Sequence, residues 1–395
     1  MRIGIHTSHL NEPKADGIKV FLKNLILNIK KLAPKDEFFL YYKDKPKEGF
    51  VEAPNYHHIV VRPPKFFDYL PNFRAKGAEV KKFGRVRSRG PWTQLWLPPR
   101  LFKDKLDALF VPLQTQPFLR PKMKTVITIH DIAFFEFPEY FTLKNRTLLY
   151  LFSSYGIRSA DKIVTPSQST KNDIINHYKV PEEKVIVTPF AFNKEIFKPV
   201  PEDFNSQEIL EKYHIKKPYI LFVGVLQPRK NVTRLVQAFN ILKKKLQIPH
   251  QLVLVSSKGW LYEDILKEIK KSPYKKDIIQ TGNMPLSELP KLLWETEVFV
   301  LPSLYEGFGL PVLEALACGT PVVTSNNSSL PEVGGDAALY IENPKNETEI
   351  AEKILKVISN KDLQKEMRRK GFEQAKKFSW RKCAKQVLKV IKSEK

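Results

Sequence analysis

The sequence predicts an α/β protein built from two doubly wound parallel sheets, and three observations carry that prediction. Apolar runs of strand length alternate with helix-period segments almost from end to end, as βα units do and hairpins do not. The runs are continuously apolar, 126–129 for instance, as expected of strands covered on both faces. The alternation breaks once, over 190–218, where Pro199, Pro201 and Pro218 sit among charged residues; such a stretch suits a crossing between domains. A chain of 395 residues has the length for two or three domains and can bury large cores without staples.

Taken in order, the first half offers strands at 2–6, 37–42, 58–62, 106–111, 125–130, 162–165 and 185–188. Helices are expected over 17–32 and 140–160, and Ser167 has the chemistry of an N-cap for a helix ending near Tyr178. The second half restarts with a strand at 219–226. A helix follows on which Val232, Leu235, Val236 and Phe239 fall at i, i+3, i+4 and i+7, one apolar stripe. Strands at 251–255, 277–280, 298–302, 321–324 and 338–341 continue the second sheet. Residues 349–395 read as helices interrupted near 377–380. The expected division is 1–195, 212–375, and a closing segment, 376–395, whose helix returns to the first domain through Leu388, Val390 and Ile391.

Composition narrows the function. At 42% hydrophobic and 27% charged, the chain is globular rather than disordered. Two cysteines, Cys318 and Cys383, make neither a disulfide framework nor a C-x-x-C metal site. The opening MRIGIHTSHL lacks the regions of a signal peptide, and no 18-residue apolar run exists; a cytoplasmic protein is expected. The net charge of +24 and pI near 9.7 favour anionic partners or, more plainly, lysine-rich solvated faces. Residues 65–105 carry 11 basic and 3 acidic side chains, interleaved with Phe66, Phe67, Trp92 and Trp96. This combination suits contact with an anionic membrane. No RNP, KH, zinc or helix-turn-helix pattern accompanies the charge, so no nucleic acid is expected as partner.

The chemistry concentrates in Leu301-Pro-Ser-Leu-Tyr-Glu-Gly-Phe-Gly-Leu-Pro-Val-Leu-Glu-Ala-Leu-Ala-Cys-Gly-Thr-Pro321. A strand ends near Pro302, a loop with Gly307 and Gly309 lets backbone approach a ligand, and a helix starts at Leu310 or Pro311. Free N–H groups at that start form an anion site. Glu306 in the loop and Glu314 one turn into the helix can face one small volume, and carboxylates accept well from sugar or ribose hydroxyls. A lone pair of this kind is equally a dipole-complementing Glu314 and a surface Glu306. A second constellation, Gly224-Val-Leu-Gln-Pro-Arg229-Lys230-Asn231, puts two cations between a strand end and a helix start, a sound pair for a diphosphate. His130 and Asp131 close the strand at 125–130, on the side where open α/β sheets bind ligands; alone, they read as a packed histidine and a capping aspartate.

Glu306 to Glu314 resembles the Glu-x7-Glu motif of the retaining glycosyltransferases of family 4, which have the GT-B fold. The flanking Gly-Phe-Gly-Leu-Pro and Ala-Cys-Gly-Thr-Pro-Val-Val are similar to that family too. Ile129-His130-Asp131 and Ser329-Leu-Pro-Glu-Val-Gly-Gly-Asp-Ala-Ala338 resemble bacterial mannosyltransferases of surface polysaccharide assembly. The resemblance implies two Rossmann-like domains facing a cleft, the second binding a nucleotide sugar and the first recognising a saccharide or lipid-linked acceptor. It implies that Arg229 and Lys230 neutralise the leaving diphosphate, that Glu306 meets sugar hydroxyls and Glu314 the ribose, and that His130 contacts the donor sugar. Backbone from Phe308 through Gly309 to Leu310 would approach sugar and diphosphate.

Gly17 stands where the family has a glycine-rich loop near the donor, yet only one glycine remains here; Ala191 replaces a glycine of many relatives, and no role is assigned to its segment. No cofactor and no metal are expected, since no Asp-x-Asp or His cluster is present. Mannose from GDP-mannose is the first choice of donor, with UDP-glucose or a UDP-N-acetylhexosamine as alternatives. The reading leads to a cytoplasmic enzyme docking on the inner face of the plasma membrane. A catalytically silent sugar-nucleotide-binding scaffold and a nucleic-acid-binding protein are the competing classes.

Overall fold

The computed structural model describes residues 1–11, 17–44, 51–62 and 92–394. Among the described residues thirteen strands form two wholly parallel sheets. The first comprises β1 (Arg2–His6), β2 (Glu37–Tyr42), β3 (Tyr56–Val60), β4 (Ala108–Val111), β5 (Lys124–Thr128), β6 (Lys162–Thr165) and β7 (Val185–Val187), in spatial order β3-β2-β1-β4-β5-β6-β7. The second comprises β8 (Tyr219–Val223), β9 (Gln251–Val255), β10 (Ile278–Gln280), β11 (Val298–Leu301), β12 (Val322–Ser325) and β13 (Ala338–Ile341), ordered β10-β9-β8-β11-β12-β13. Each order reverses once, between β1 and β4 and between β8 and β11. Such a reversal opens a crevice beyond the strands' carboxyl ends.

The continuously apolar runs are central strands. β4, β5, β11 and β12 are buried at every position, because helices cover both faces. Several expected boundaries shift by a turn or less. The third strand begins at Tyr56, whose ring stacks on Phe38 of its neighbour at 4.8 Å, and ends at Val60. β5 stops at Thr128, so Ile129 and His130 lie beyond its end. The helix expected over 140–160 is instead a short 3-10 turn, Pro138–Tyr140, and a helix Leu143–Ser159 capped by the Thr142 hydroxyl. Cys318 is buried and caps the helix Leu310–Ala317 before Gly319 at φ +74°. Helices Glu263–Lys271 and Leu289–Glu295 were not singled out by the apolar pattern.

The last helix, Trp380–Lys392, crosses back and lies against the first long helix, Gly17–Leu32. Leu388, Val390 and Ile391 are buried there, and Lys124 of β5 donates to the Val390 carbonyl at 2.6 Å. One hydrophobic core therefore runs from Ile3 to Ile391 through both sheets, while a second lies on the other face of the first sheet. Trp92 belongs to that second core. It is 1% exposed, its indole N–H donates to the Val61 carbonyl at 2.7 Å, and His6 meets it edge-on. It cannot serve as the membrane-facing ring expected from sequence, because burial and its single donor are both already used. Phe66 and Phe67 lie outside the described residues.

Candidate active site

The loop after β11 is gripped from both halves of the molecule. Gly309 takes φ +102°, a left-handed geometry that favours glycine, and from it the helix Leu310–Ala317 starts with Pro311 in its first turn. A Cβ on Gly307 would lie 2.1 Å from the His130 carbonyl oxygen, so only glycine allows the halves to close this far. Ser167, the expected N-cap of the helix Gln168–Tyr178, also donates to the Gly307 carbonyl at 2.8 Å. From the other side, Ser329 donates to the Glu306 carbonyl at 2.8 Å and the Glu306 N–H donates to Ser328 at 3.0 Å.

Glu306 is buried, and its carboxylate accepts from the Lys230 ammonium, from Ser303 at 2.7 Å and from the Arg229 guanidinium at 3.1 Å. Burial alone would raise its pKa; the two cations and the hydrogen bonds outweigh burial and hold the carboxyl at about 2. Both cations are brought there by the turn Pro228–Lys230 after β8. Asn231, at φ +59°, closes that turn and donates to the Pro302 carbonyl at 3.0 Å. Arg229 also donates to the Tyr305 carbonyl at 2.9 Å. Lys230 is buried and paired, because the loops after β8 and β11 meet at the switch point.

Glu314 differs. It is half-buried on the Leu310 helix, no hydrogen-bond donor reaches its carboxyl among the described residues, and burial pushes it up to about 8. The N–H groups of Phe308, Gly309 and Leu310 likewise donate to no described residue, while the Phe308 ring turns inward against Phe190 at 5.4 Å and Phe378 at 5.9 Å. From the first half, Gly17 begins its helix with Leu310 as its neighbour across the cleft. His130, half-buried, pairs through Nε2 with the Pro112 carbonyl at 2.9 Å and has Phe21 and Phe190 beside its ring. The geometry thus brings Gly17, His130, Arg229, Lys230, Glu306, Gly309 and Leu310 to one crevice, with Glu314 one turn further along the helix.

Further residues complete the site, and the sequence reading passed them over. Phe190 stacks on Phe21 at 4.5 Å and joins His130 to Phe308. Tyr305 donates across the cleft to Asp173 at 2.6 Å. Glu332 accepts from the Gln168 and Ser169 N–H groups at 2.7 and 2.8 Å, one carboxylate oxygen to each. Its anionic head thus sits on the start of a helix from the other half, which is electrostatically favourable. Glu332 lies in the Ser329–Ala338 stretch that carries the family resemblance, but the sequence alone assigns it no role.

The chain matches the family model "Glycosyltransferase Family 4" over residues 48–195 and "Glycosyl transferases group 1" over 205–374. It is 33% identical to O-antigen chain mannosyltransferase B of Escherichia coli over 270 residues, 68% of this chain and 70% of that one. The chain belongs to glycosyltransferase family 4. The glycosyltransferase is also 30% identical over 275 residues to the serotype-specific mannosyltransferase WbdA of Escherichia coli, a match covering 66% of this chain but 32% of that longer protein. Among solved structures, WaaG, a glycosyltransferase involved in lipopolysaccharide biosynthesis, superposes with TM-score 0.73 at 16% identity, over 99% of this chain and 100% of that one. Sucrose-phosphate synthase from Thermosynechococcus elongatus gives TM-score 0.73 at 16% identity, over 98% of each chain. The fold of the glycosyltransferase is GT-B, and by family and relatives it is a hexosyltransferase. Among its described residues no three His, Cys, Asp or Glu side chains gather as metal ligands would, and no helix is long and apolar enough to cross a membrane.

Proposed function

We propose that the chain is a retaining mannosyltransferase that moves mannose from GDP-mannose to a saccharide or lipid-linked saccharide. The observation that carries the reading is the buried Arg229–Lys230–Glu306 cluster beside the unengaged N–H groups of Phe308 to Leu310. Two cations and a helix start converge there, as binding a diphosphate requires. Support for mannose comes from the names of the Escherichia coli relatives.

In this reading Arg229 and Lys230 face the diphosphate, and their attraction grows as negative charge develops on the departing group. Glu306 meets the sugar hydroxyls, Glu314 the ribose, and His130 the sugar from the first half. The acceptor oxygen bonds to the anomeric carbon on the face from which the diphosphate leaves. The anomeric C–O bond to phosphate breaks, and the acceptor proton passes to the departing phosphate oxygen. No protein nucleophile and no metal take part, since the two cations supply the neutralising charge. The enzyme would work on the cytoplasmic side, at the inner face of the plasma membrane where a lipid-linked acceptor presents its sugar.

The test is a thermal-shift screen of GDP-, UDP- and ADP-sugars, followed by nuclear magnetic resonance of the product's anomeric centre. Stabilisation by GDP-mannose above the others, and an α-linked product formed in EDTA, are expected. Preference for a UDP-sugar sinks the donor assignment, a β-linked product sinks retention, and turnover that needs added Mg²⁺ sinks metal independence.

A further inference from the structure

The first turns of the Leu143–Ser159 helix are poorly covered. Over residues 142–151 every side chain but Leu149 is exposed, and Leu143 and Leu151 are 77% and 57% exposed. Its inner face borders a cavity of about 440 Å³ lined by Phe141, Leu148, Leu149 and Phe152 from the first half and by Trp260 and Leu261 from the second. Large apolar side chains left open in one place mark a binding surface rather than a scatter of surface residues.

The second half builds its wall of this cavity at a cost. Leu261 has φ +53°, a left-handed geometry that a bulky residue rarely adopts. Trp260 is anchored by its indole N–H, which donates to the Tyr140 carbonyl across the cleft at 2.8 Å. Even so, Trp260 and Leu261 remain 45% and 46% exposed. The cavity opens on the reactive side of both sheets: residues 260–261 follow β9, and Thr115 on its rim follows Pro112, the partner of His130.

We propose that this cavity holds an aliphatic chain with an anionic head, the hydrophobic end of a lipid-linked acceptor; the inference rests on the acceptor named under the proposed function. The lining favours an aliphatic chain over a saccharide, since six of its side chains are apolar or aromatic against Thr115, Thr142 and Asn145, and the Trp260 indole N–H is already engaged by the Tyr140 carbonyl. Charge selects the head. From Phe141 to Ala160 the charged residues are Lys144, Arg146 and Arg158, with no acid. Lys144 and Arg146 lie exposed on the helix's first two turns, and neither forms an ion pair among the described residues. The two flank the cavity-lining face of the helix, one on each side, so a phosphate at the chain's end would meet one of them while its sugar reached toward His130.

The experiment is calorimetric titration of the full chain with decyl phosphate below its micellar range, with inorganic phosphate as the head alone. Decyl phosphate should bind at least about tenfold tighter than phosphate, the effect of roughly two buried methylene groups. Leu148→Asp, at a 43% exposed position, and Leu261→Gly, which the left-handed geometry accommodates, should each remove about that factor. Both variants should keep the wild-type thermal response to GDP-mannose. Equal binding of decyl phosphate by wild type and both variants overturns the proposal. So does sedimentation with anionic vesicles that persists in both variants without any binding of decyl phosphate, because the surface then serves a bilayer. A missing GDP-mannose response alongside normal decyl phosphate binding counts against the donor and leaves the cavity's assignment standing.

Discussion

Glu306 does at rest what a diphosphate would do in the complex: it neutralises Arg229 and Lys230. Removing it strands the buried Lys230 and deprives the partly buried Arg229 of its carboxylate, a loss that typically costs about 3–5 kcal/mol. Glu306→Ala should therefore melt lower than wild type, while GDP stabilises the variant by more degrees than it stabilises the wild type. An equal GDP shift in both would show that the cations do not face the diphosphate. The pair also sets an acid limit. With its carboxyl at about 2 against an ordinary 4.5, its contribution is present above about 4.5 and is lost as pH falls toward 2. Glu314 runs the other way. A carboxyl that loses its proton only near 8 is a poor double acceptor below that pH, so GDP affinity should rise between pH 6.5 and 8.5 and level off above. Calorimetry across that range checks the slope, and Glu314→Gln should flatten it. Residue types and spacing made Arg229, Lys230, Glu306 and Glu314 visible in the sequence. Their ion pairing was not, because it depends on two loops 76 residues apart meeting at a switch point.

At the scale of elements, the helix Gln168–Tyr178 and the loop after β11 hold each other. Ser167 reaches the Gly307 carbonyl, and Glu332 covers the helix start in return. Contacts of this kind exist only when the halves are together, so they bear on turnover rather than on donor capture. Glu332→Gln should leave GDP affinity within about twofold, since surface changes away from a site rarely exceed about 0.5 kcal/mol. Its turnover should fall about tenfold, the equivalent of about 1.4 kcal/mol of lost closure. Stopped turnover together with lost GDP binding would instead mean misfolding. The N-cap role of Ser167 was readable locally, from a serine before a helical period. Its second bond was not readable, because the acceptor lies 140 positions away. The same limit explains Trp92: an aromatic among arginines signals a wet surface until the Val61 carbonyl and His6 are found around it.

In the whole molecule, the number of sheets and the alternation of strands and helices were legible in the sequence, since each parallel strand needs a covering helix and each sheet a restart; the spatial order of the strands was not, because it is set by crossovers that leave no local pattern. The return of the last helix was legible too, through the family resemblance and the apolar Leu388, Val390 and Ile391, which are buried on that return. That helix closes the core over Gly17–Leu32. A charge in its centre, Ile391→Asp at a position with 0% exposure, should destabilise the first half by at least about 3 kcal/mol. Limited proteolysis should then cut first within residues 1–195; initial cleavage in the second half would contradict this. The arrangement also has a consequence during synthesis. The first sheet is complete at Val187, but the helix that covers it begins at Trp380, roughly 190 residues later. At about 5–20 residues per second, the ribosome needs roughly 10–40 s to cross that gap. For that interval the nascent first half carries an apolar face on Gly17–Leu32 that the finished enzyme hides, an exposure that favours aggregation of the newborn chain.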